Sequence, residues 1–274
     1  MSILPGGDVS MRTHMLRRLL LTVGVVAVLA GVAFLLQKPT STVSLLSAAD
    51  ESPGSVAVVE LFTSEGCSSC PSADALLGLI ETESKKQGQP VYCLSFHVDY
   101  WDRLGWKDPY SEESITQRQT AYSRHIGLKH NYTPQMIVNG TDQFLGSDRK
   151  LAVAALRKAF AEVAPVTIDL SVAAKDREIN VNCQVRNAPQ ASLLCVAWVN
   201  TPVPSSPNRG ENQGRQLPHV NVVRDFQTIE LTPDFDGKIT LKRSSPESGL
   251  VIAFVQEAGP GKVLGAKSTP LTAE

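Results

Sequence analysis

The sequence predicts an α/β domain followed by a mainly antiparallel β-rich region. Three observations carry that expectation. Apolar, β-branched runs at Val56–Phe62 and Val91–Phe96 flank an amphipathic stretch from Pro71 to about Ser84, the pattern of a strand–helix–strand unit with a buried parallel pair. A second series of helix, hairpin and helix then reaches about Val163. Beyond Pro165 the helical periodicity stops, and short strand-like runs separated by turn residues continue to the end, as in a β-sandwich.

Composition narrows the class. The 274-residue chain has a formal net charge of −1, so it offers no basic field to nucleic acid. It is 42% hydrophobic, enough for a buried core. Five cysteines are too few for a small disulfide-stapled scaffold. Cys67 and Cys70 form one cluster, Cys93 stands alone, and Cys183 and Cys195 lie in the distal half.

Residues 1–18 read as a basic cytoplasmic N-terminus containing Arg12, Arg17 and Arg18, and residues 19–36 as an uncharged apolar run. At ~1.5 Å per residue that run spans ~27 Å, near the ~30 Å hydrocarbon core of a bilayer. Arginines ahead of it predict that the rest of the chain lies outside. The length favours a single membrane anchor. A cleaved signal peptide, with an apolar region of ordinarily ~7–15 residues, would use Ser47–Ala48–Ala49. Either reading places the remainder on the periplasmic or extracytoplasmic side. Residues 37–55, rich in Ser, Thr, Pro and Ala, read as a flexible linker.

Residues 56–164 form the first expected domain. Ala73, Leu76, Leu77 and Ile80 give its first helix an apolar stripe at i, i+3, i+4, i+7, and Pro71 is tolerated in a first turn that needs no donor there. Ile115, Tyr122 and Ile126 mark a weaker helix from Ser111. Gln135–Val138 and Gln143–Leu145 read as a hairpin around Asn139–Gly140, the strongest short-range hairpin signal. Ser147 is a candidate cap for a last helix carrying Leu151, Ala155, Leu156 and Phe160. Residues 165–274 form the second expected domain, with strands at 166–172, 178–185, 192–199, 227–231, 238–241 and 250–254.

The chemistry centres on Cys67-Ser68-Ser69-Cys70, where a strand passes into a helix. This is the redox layout of thioredoxin-like domains. A helix N-terminus favours the thiolate, the attacking species. Cys67, expected to be the more exposed, reads as nucleophile and Cys70 as resolving thiol. Thr133–Pro134, opening a late strand, matches the position of a cis-proline loop that lies beside the dithiol and positions a bound peptide. Glu60, alone among apolar residues of its strand, is a candidate proton acceptor for Cys70, or else a carboxylate facing solvent or an arginine.

The connection after the second strand carries His97, Tyr100, Trp101 and Trp106. It reads either as a recognition surface beyond the strand ends or as a compact, self-packed loop. Cys93 reads as a buried apolar residue. If the strands at 178–185 and 192–199 pair as a hairpin, Cys183 and Cys195 face each other, as a disulfide or as two thiols. Asn212, His219 and Arg224, in the stretch Gly210–Arg224, either reach toward the dithiol or belong to a long sandwich loop.

The blocks ELFTSEGCSSCPSAD, FHVDYWDRLGWKDPYS, NYTPQMIVNG and GENQGRQLPHVNVVR together resemble an uncharacterised bacterial family of exported thioredoxin-like proteins, defined only as a domain of unknown function. The resemblance covers roughly Ser55 to the C-terminus. It implies a thioredoxin-like fold with a C-terminal β extension, and it implies that Cys67, Cys70 and Pro134 occupy the dithiol and cis-proline positions. The expected function is a thiol–disulfide oxidoreductase outside the cytoplasmic membrane, with a protein or small thiol/disulfide as substrate. No cofactor beyond the cysteine pair and no resident metal is expected. The alternatives are a copper- or zinc-binding assembly module using the same thiols, with His97 joining them, and an interaction domain with a static disulfide.

Overall fold

The computed structural model describes Ser52, residues 54–243 and residues 246–272. The expected basic N-terminus, the anchor or signal segment and nearly all of the linker lie outside the described residues. No helix among the described residues is long and apolar enough to cross a membrane.

The first half builds as its patterning dictates. Strand β1 (Ala57–Thr63) is buried along its whole length, because both of its edges are paired and both of its faces are covered. It pairs in parallel with β2 (Val91–His97), from Ala57↔Val91 to Thr63↔His97, and antiparallel with β3 (Gln135–Val138). Helix α1 (Pro71–Gln87) links the parallel pair. It stops at Gly88, whose φ of 69° lets its N–H turn back to Lys85 O and Ser84 O. Helix α2 (Glu113–Ile126) ends the same way at Gly127. Strands β3 and β4 (Asp142–Leu145) form the expected hairpin, with positive φ at both Asn139 and Gly140. Helix α3 (Arg149–Phe160) is capped by Asp148 rather than Ser147: the Asp148 carboxylate accepts from the N–H groups of Lys150 and Leu151 at 2.9 and 3.0 Å.

The second half is all strand: β5 (Thr167–Lys175), β6 (Glu178–Arg186), β7 (Ser192–Asn200), β8 (Val222–Leu231), β9 (Phe235–Lys242), β10 (Gly249–Glu257) and β11 (Val263–Leu271). Strand β11, with Gly265 and Pro270, carries too weak a pattern to be expected from sequence. It lies at a sheet edge, where a proline is tolerated. The strands form an eight-stranded sheet, β11-β10-β7-β8-β2-β1-β3-β4, and a three-stranded sheet, β5-β6-β9. The larger sheet runs straight across residue 165. The parallel pairing of Ser95 with Val222 joins the two expected domains into one sheet, and all described residues fall in a single compact unit.

The two faces of that sheet have different cores. On one face α1 and α3 cover β1, β2 and β3 through Leu61, Leu77, Ile80, Leu156 and Phe160. Farther along, the small sheet packs on β7 and β10 through Val181, Leu241, Trp198 and Val251. The opposite face, under α2, holds Phe62, Phe96, Tyr122, Phe254 and Cys195.

This two-residue alternation decides between the two readings of Glu60, in favour of the one that turns it toward an arginine. Glu60 shares its face with Val58 and Phe62, away from α1 and the dithiol. Its carboxylate is buried against α2, where it accepts from Arg118 Nε at 2.7 Å and from the Tyr122 hydroxyl. It therefore cannot serve Cys70. Cys183 and Cys195 do not face each other either. Strand β6 pairs with β5 and β9, while β7 pairs with β8 and β10, so the two cysteines sit in different sheets as separate buried thiols. The polar turn between them crosses from one sheet to the other instead of closing a hairpin. Burial pushes the Cys195 thiol up to about 11, which keeps it protonated and inert.

Arg118 is the hub of the α2 face. Besides Glu60 it donates to the Tyr122 hydroxyl at 3.2 Å and to Gln256 Oε1 at 3.0 Å, and its guanidinium lies 4.6 Å from the Phe226 ring centroid. Removing one partner of a buried ion pair strands the other charge, which costs about 3–5 kcal/mol. Arg118→Met is therefore expected to destabilise the protein by about that amount in urea unfolding. The double variant Glu60→Gln/Arg118→Met should lose distinctly less than the sum of the two single losses.

Candidate functional site

The carboxyl ends of β1 and β2, the turn Ser64–Cys70 and the first turn of α1 meet at one end of the sheet. Cys67 and Cys70 form a disulfide there, with Cα atoms 5.4 Å apart. Cys70 is the N-cap residue of α1, and its carbonyl accepts from Ala73 and Asp74 N–H at 2.8 and 3.1 Å. Cys67 lies one turn ahead. Contrary to the expectation of an exposed nucleophile, both cysteines have 0% exposure, while Ser68 and Ser69 are exposed.

The Thr133–Pro134 peptide bond is cis. Two contacts tie this loop to the dithiol turn. The Trp101 indole donates to Thr133 Oγ1 at 2.7 Å, and its Cβ packs so tightly on Gly66 that a side-chain carbon there would lie 3.1 Å away. A carbon on Gly146 would meet Leu61 at 2.8 Å, Ala73 at 3.1 Å and Pro134 at 3.2 Å. The proline thus packs close to α1, just inside Cys70.

The aromatic connection folds inward rather than presenting an open recognition surface. Trp106 donates to Glu65 Oε2 at 2.7 Å and Tyr100 to Gln119 Oε1 at 3.2 Å. His97 is buried, with Nδ1 2.7 Å from Asp108 Oδ2. Burial opposes the imidazolium, but the charge and hydrogen bond of Asp108 outweigh it and hold His97 above its ordinary pKa. Asp108 is correspondingly held low: desolvation pushes it up, and His97 together with the N–H groups of Glu65 and Tyr110 pulls it further down. His97 Nε2 and the Thr63 hydroxyl, opposite each other across β1 and β2, are buried without a hydrogen-bond partner among the described residues. No group of three or more His, Cys, Asp or Glu among the described residues is arranged to hold a metal ion.

Asp74, one helical turn after Cys70, lies beside these groups. Burial pushes its carboxyl up to about 6, against the lowering influence of His97, the Thr63 hydroxyl and His219. The Thr63 hydroxyl neighbours this carboxyl without reaching hydrogen-bond geometry. Near neutral pH, Asp74 can therefore exchange a proton.

The connection between β7 and β8, residues 201–221, is fastened to the dithiol turn. The Asn212 carboxamide, itself 0% exposed, donates to Glu65 O at 2.9 Å and Cys67 O at 2.8 Å. Glu211 accepts from Ser68 N at 3.0 Å. Lower down, Glu65 Oε1 accepts from Ser205 Oγ at 2.5 Å and lies 3.1 Å from His219 Nε2. Of the residues expected to reach the dithiol end from the distal half, Asn212 and His219 do so. Arg224 lies over the Tyr110 ring at 4.9 Å.

The family described as "Protein of unknown function (DUF1223)" matches residues 58–256. The chain belongs to that family. Its match to DUF1223 takes in both halves of the sheet, the dithiol turn and the connection fastened to it. The crystal structure of protein AGR_C_4864 from Agrobacterium tumefaciens is 28% identical, with a TM-score of 0.58 over 80% of this chain and 96% of that one. An Akkermansia muciniphila protein, OgpA, superposes with a TM-score of only 0.28 at 10% identity over 72% of this chain and 71% of its own, and carries no argument. No curated protein matches the chain.

Sequence reasoning missed Glu65, Asp74, Asp108, Ser205 and Glu211. Asp74 reads as an ordinary acidic residue of a first helical turn, and Glu65 as part of a polar turn. The chain's return through residues 205–219 buries Glu65, while Asp74 stays half-buried beside it. The raised Asp74 carboxyl fixes a sign. Its folded pKa of about 6 exceeds the unfolded value of 3.8, so the stability it contributes is full below the unfolded value and is lost as pH rises through about 6. Asp74→Asn should therefore gain on the wild type between pH 4 and pH 7.5 by on the order of 2 kcal/mol, read from urea midpoints at the two pH values.

Proposed function

We propose that this protein is a thiol–disulfide oxidoreductase of thioredoxin-like architecture acting outside the cytoplasmic membrane. The observation that carries the reading is the Cys67–Cys70 disulfide at the start of α1, with the cis Thr133–Pro134 loop linked to the same turn through Trp101. Other features support it. Cys93, Cys183 and Cys195 are all buried, a disposition suited to an oxidising compartment, where an accessible thiol would not persist. An arginine-flanked apolar run precedes the domain.

In the reducing direction, the Cys67 thiolate attacks a sulfur of a partner disulfide. A mixed disulfide forms and one partner thiolate leaves. Cys70 then loses its proton and attacks Cys67 Sγ. The mixed bond breaks, the second partner thiolate departs, and two electrons have passed from the dithiol to the partner. Run backward, the same steps oxidise a partner dithiol. The direction follows from the potential of the pair against its partner. Asp74, one turn behind Cys70, takes the role of proton acceptor that Glu60 cannot fill.

A second reading, an interaction domain with a static disulfide, draws on the complete burial of both cysteines. Trapping separates the two. Cys70→Ser is expected to accumulate mixed disulfides with partners in vivo, seen as thiol-sensitive adducts, whereas Cys67→Ser accumulates none. Equal trapping by both variants overturns the assigned roles, and trapping by neither favours the static disulfide.

A further inference from the structure

Residues 210–212 are hydrogen-bonded to the main chain of the dithiol turn. The tip of the connection is a self-contained turn. Gly214 N donates to Pro207 O at 2.8 Å, Gln213 N to Gly210 O at 3.2 Å and Arg215 N to Asn212 O at 3.0 Å. Gly210 and Gly214 adopt positive φ of 79° and 73°, and below them Ser205 and Leu217 bridge the two arms. The tip can therefore lift as a unit without unmaking its own hydrogen bonds.

The receptor groups under the tip are all main-chain atoms of the dithiol turn: Ser68 N–H, Glu65 O and Cys67 O. They recognise a carboxylate next to a carboxamide on a closely approaching backbone. Trp106 forms the wall, so close that a side-chain carbon on Gly210 would lie 3.2 Å from its Cβ. Arg103 and Lys107, both exposed, flank this wall and stay with the groove when the tip lifts. The rim is thus basic, while the groups beneath take an acid and an amide.

Cys67 and Cys70 are both 0% exposed with the tip fastened to the main chain beside them, so an incoming thiolate has no open path to the disulfide in this state. We propose that residues 210–212 occupy the docking groove of a polypeptide partner, and that the partner is an acidic segment presenting a carboxylate to Ser68 N–H and a carboxamide to the carbonyls of Glu65 and Cys67. This deepens the oxidoreductase reading and rests on it for the purpose of the groove. The groove itself is tested separately.

The experiment uses the full, oxidised chain and follows reduction of the Cys67–Cys70 disulfide by dithiothreitol. Wild type should react slowly. Glu211→Gln/Asn212→Ala, which removes the tip's fastenings, should react about tenfold faster or more, as expected for loss of buried and charge-assisted hydrogen bonds. Glu211→Gln alone, at an exposed residue that leaves the fold intact, should show a smaller increase in the same direction. A blocked synthetic peptide copying residues 208–214, added at millimolar concentration, should slow reduction of the double variant toward the wild-type rate. Replacing its arginine by glutamate should lower the concentration needed, and replacing its glutamate by glutamine and the asparagine after it by alanine should abolish protection. Unchanged reduction of both variants, or equal protection by the peptides with and without the acid–amide pair, overturns the proposal. Protection by the peptide combined with no partner trapped by Cys70→Ser leaves the groove standing and removes the redox reading instead.

Discussion

A carboxyl side chain at 2% exposure needs hydrogen-bond partners, and Glu65 finds them by drawing two separate segments onto itself. Trp106 from the loop after β2, and Ser205 and His219 from the connection between β7 and β8, all converge on its two oxygens. Its main chain is tied as well, the N–H to Asp108 and the carbonyl to Asn212. Glu65 lies two residues before Cys67, so the same contacts that satisfy its carboxyl fix the shape of the dithiol turn and fasten the connection between β7 and β8 to it. Loss of either segment would leave a buried acid short of partners.

The two faces of the large sheet divide structural from chemical duty. The α2 face takes the ionic hub of Arg118, Glu60 and Tyr122, enclosed by Phe96, Phe226 and Phe254. It holds α2 against a sheet assembled from both halves of the chain, and Trp101, packed on its edge, is the side chain that reaches from it to the dithiol turn. The dithiol belongs to the other side, at the strand ends capped by α1. Strand alternation alone makes this division: moving Glu60 by one residue would carry its charge into the core under α1. The buried His97–Asp108 pair is the polar counterpart on the dithiol side, where it carries compensating charge close to Asp74.

Much of the first half was legible from sequence because its signals are local. Pro71 and Gly88 bracket α1, Asn139–Gly140 sets the hairpin, and the CSSC sits where β1 gives way to a helix. What was illegible depended on contacts between residues far apart in the chain. Glu60 looked like a partner for the dithiol because sequence distance is not orientation, and the residue that decides its role, Arg118, lies on a helix with weak apolar periodicity. The strands of β6 and β7 were visible, but their pairing was not: a short polar turn is compatible with a hairpin or with a crossing between sheets. The strand alternation also turns Cys195 away from the small sheet that buries Cys183. The connection between β7 and β8 carried no regular pattern at all, since its conformation is set by what it touches.

The burial of the disulfide bears on what kind of redox protein this chemistry could serve. A general reductant needs one sulfur open to many partners. Here both cysteines are fully buried beside a strap fastened by a fully buried carboxamide and a carboxylate, and on the proposed reading the strap competes at the high effective concentration of a tethered segment. A small thiol has nothing to offer the freed Ser68 N–H or the two carbonyls, so it meets the whole cost of opening. A polypeptide that replaces those contacts offsets it. The architecture therefore favours selectivity over rate. Under the proposed redox role, selectivity would arise from the requirement to displace an internal competitor, with the exchange chemistry of the two cysteines unchanged.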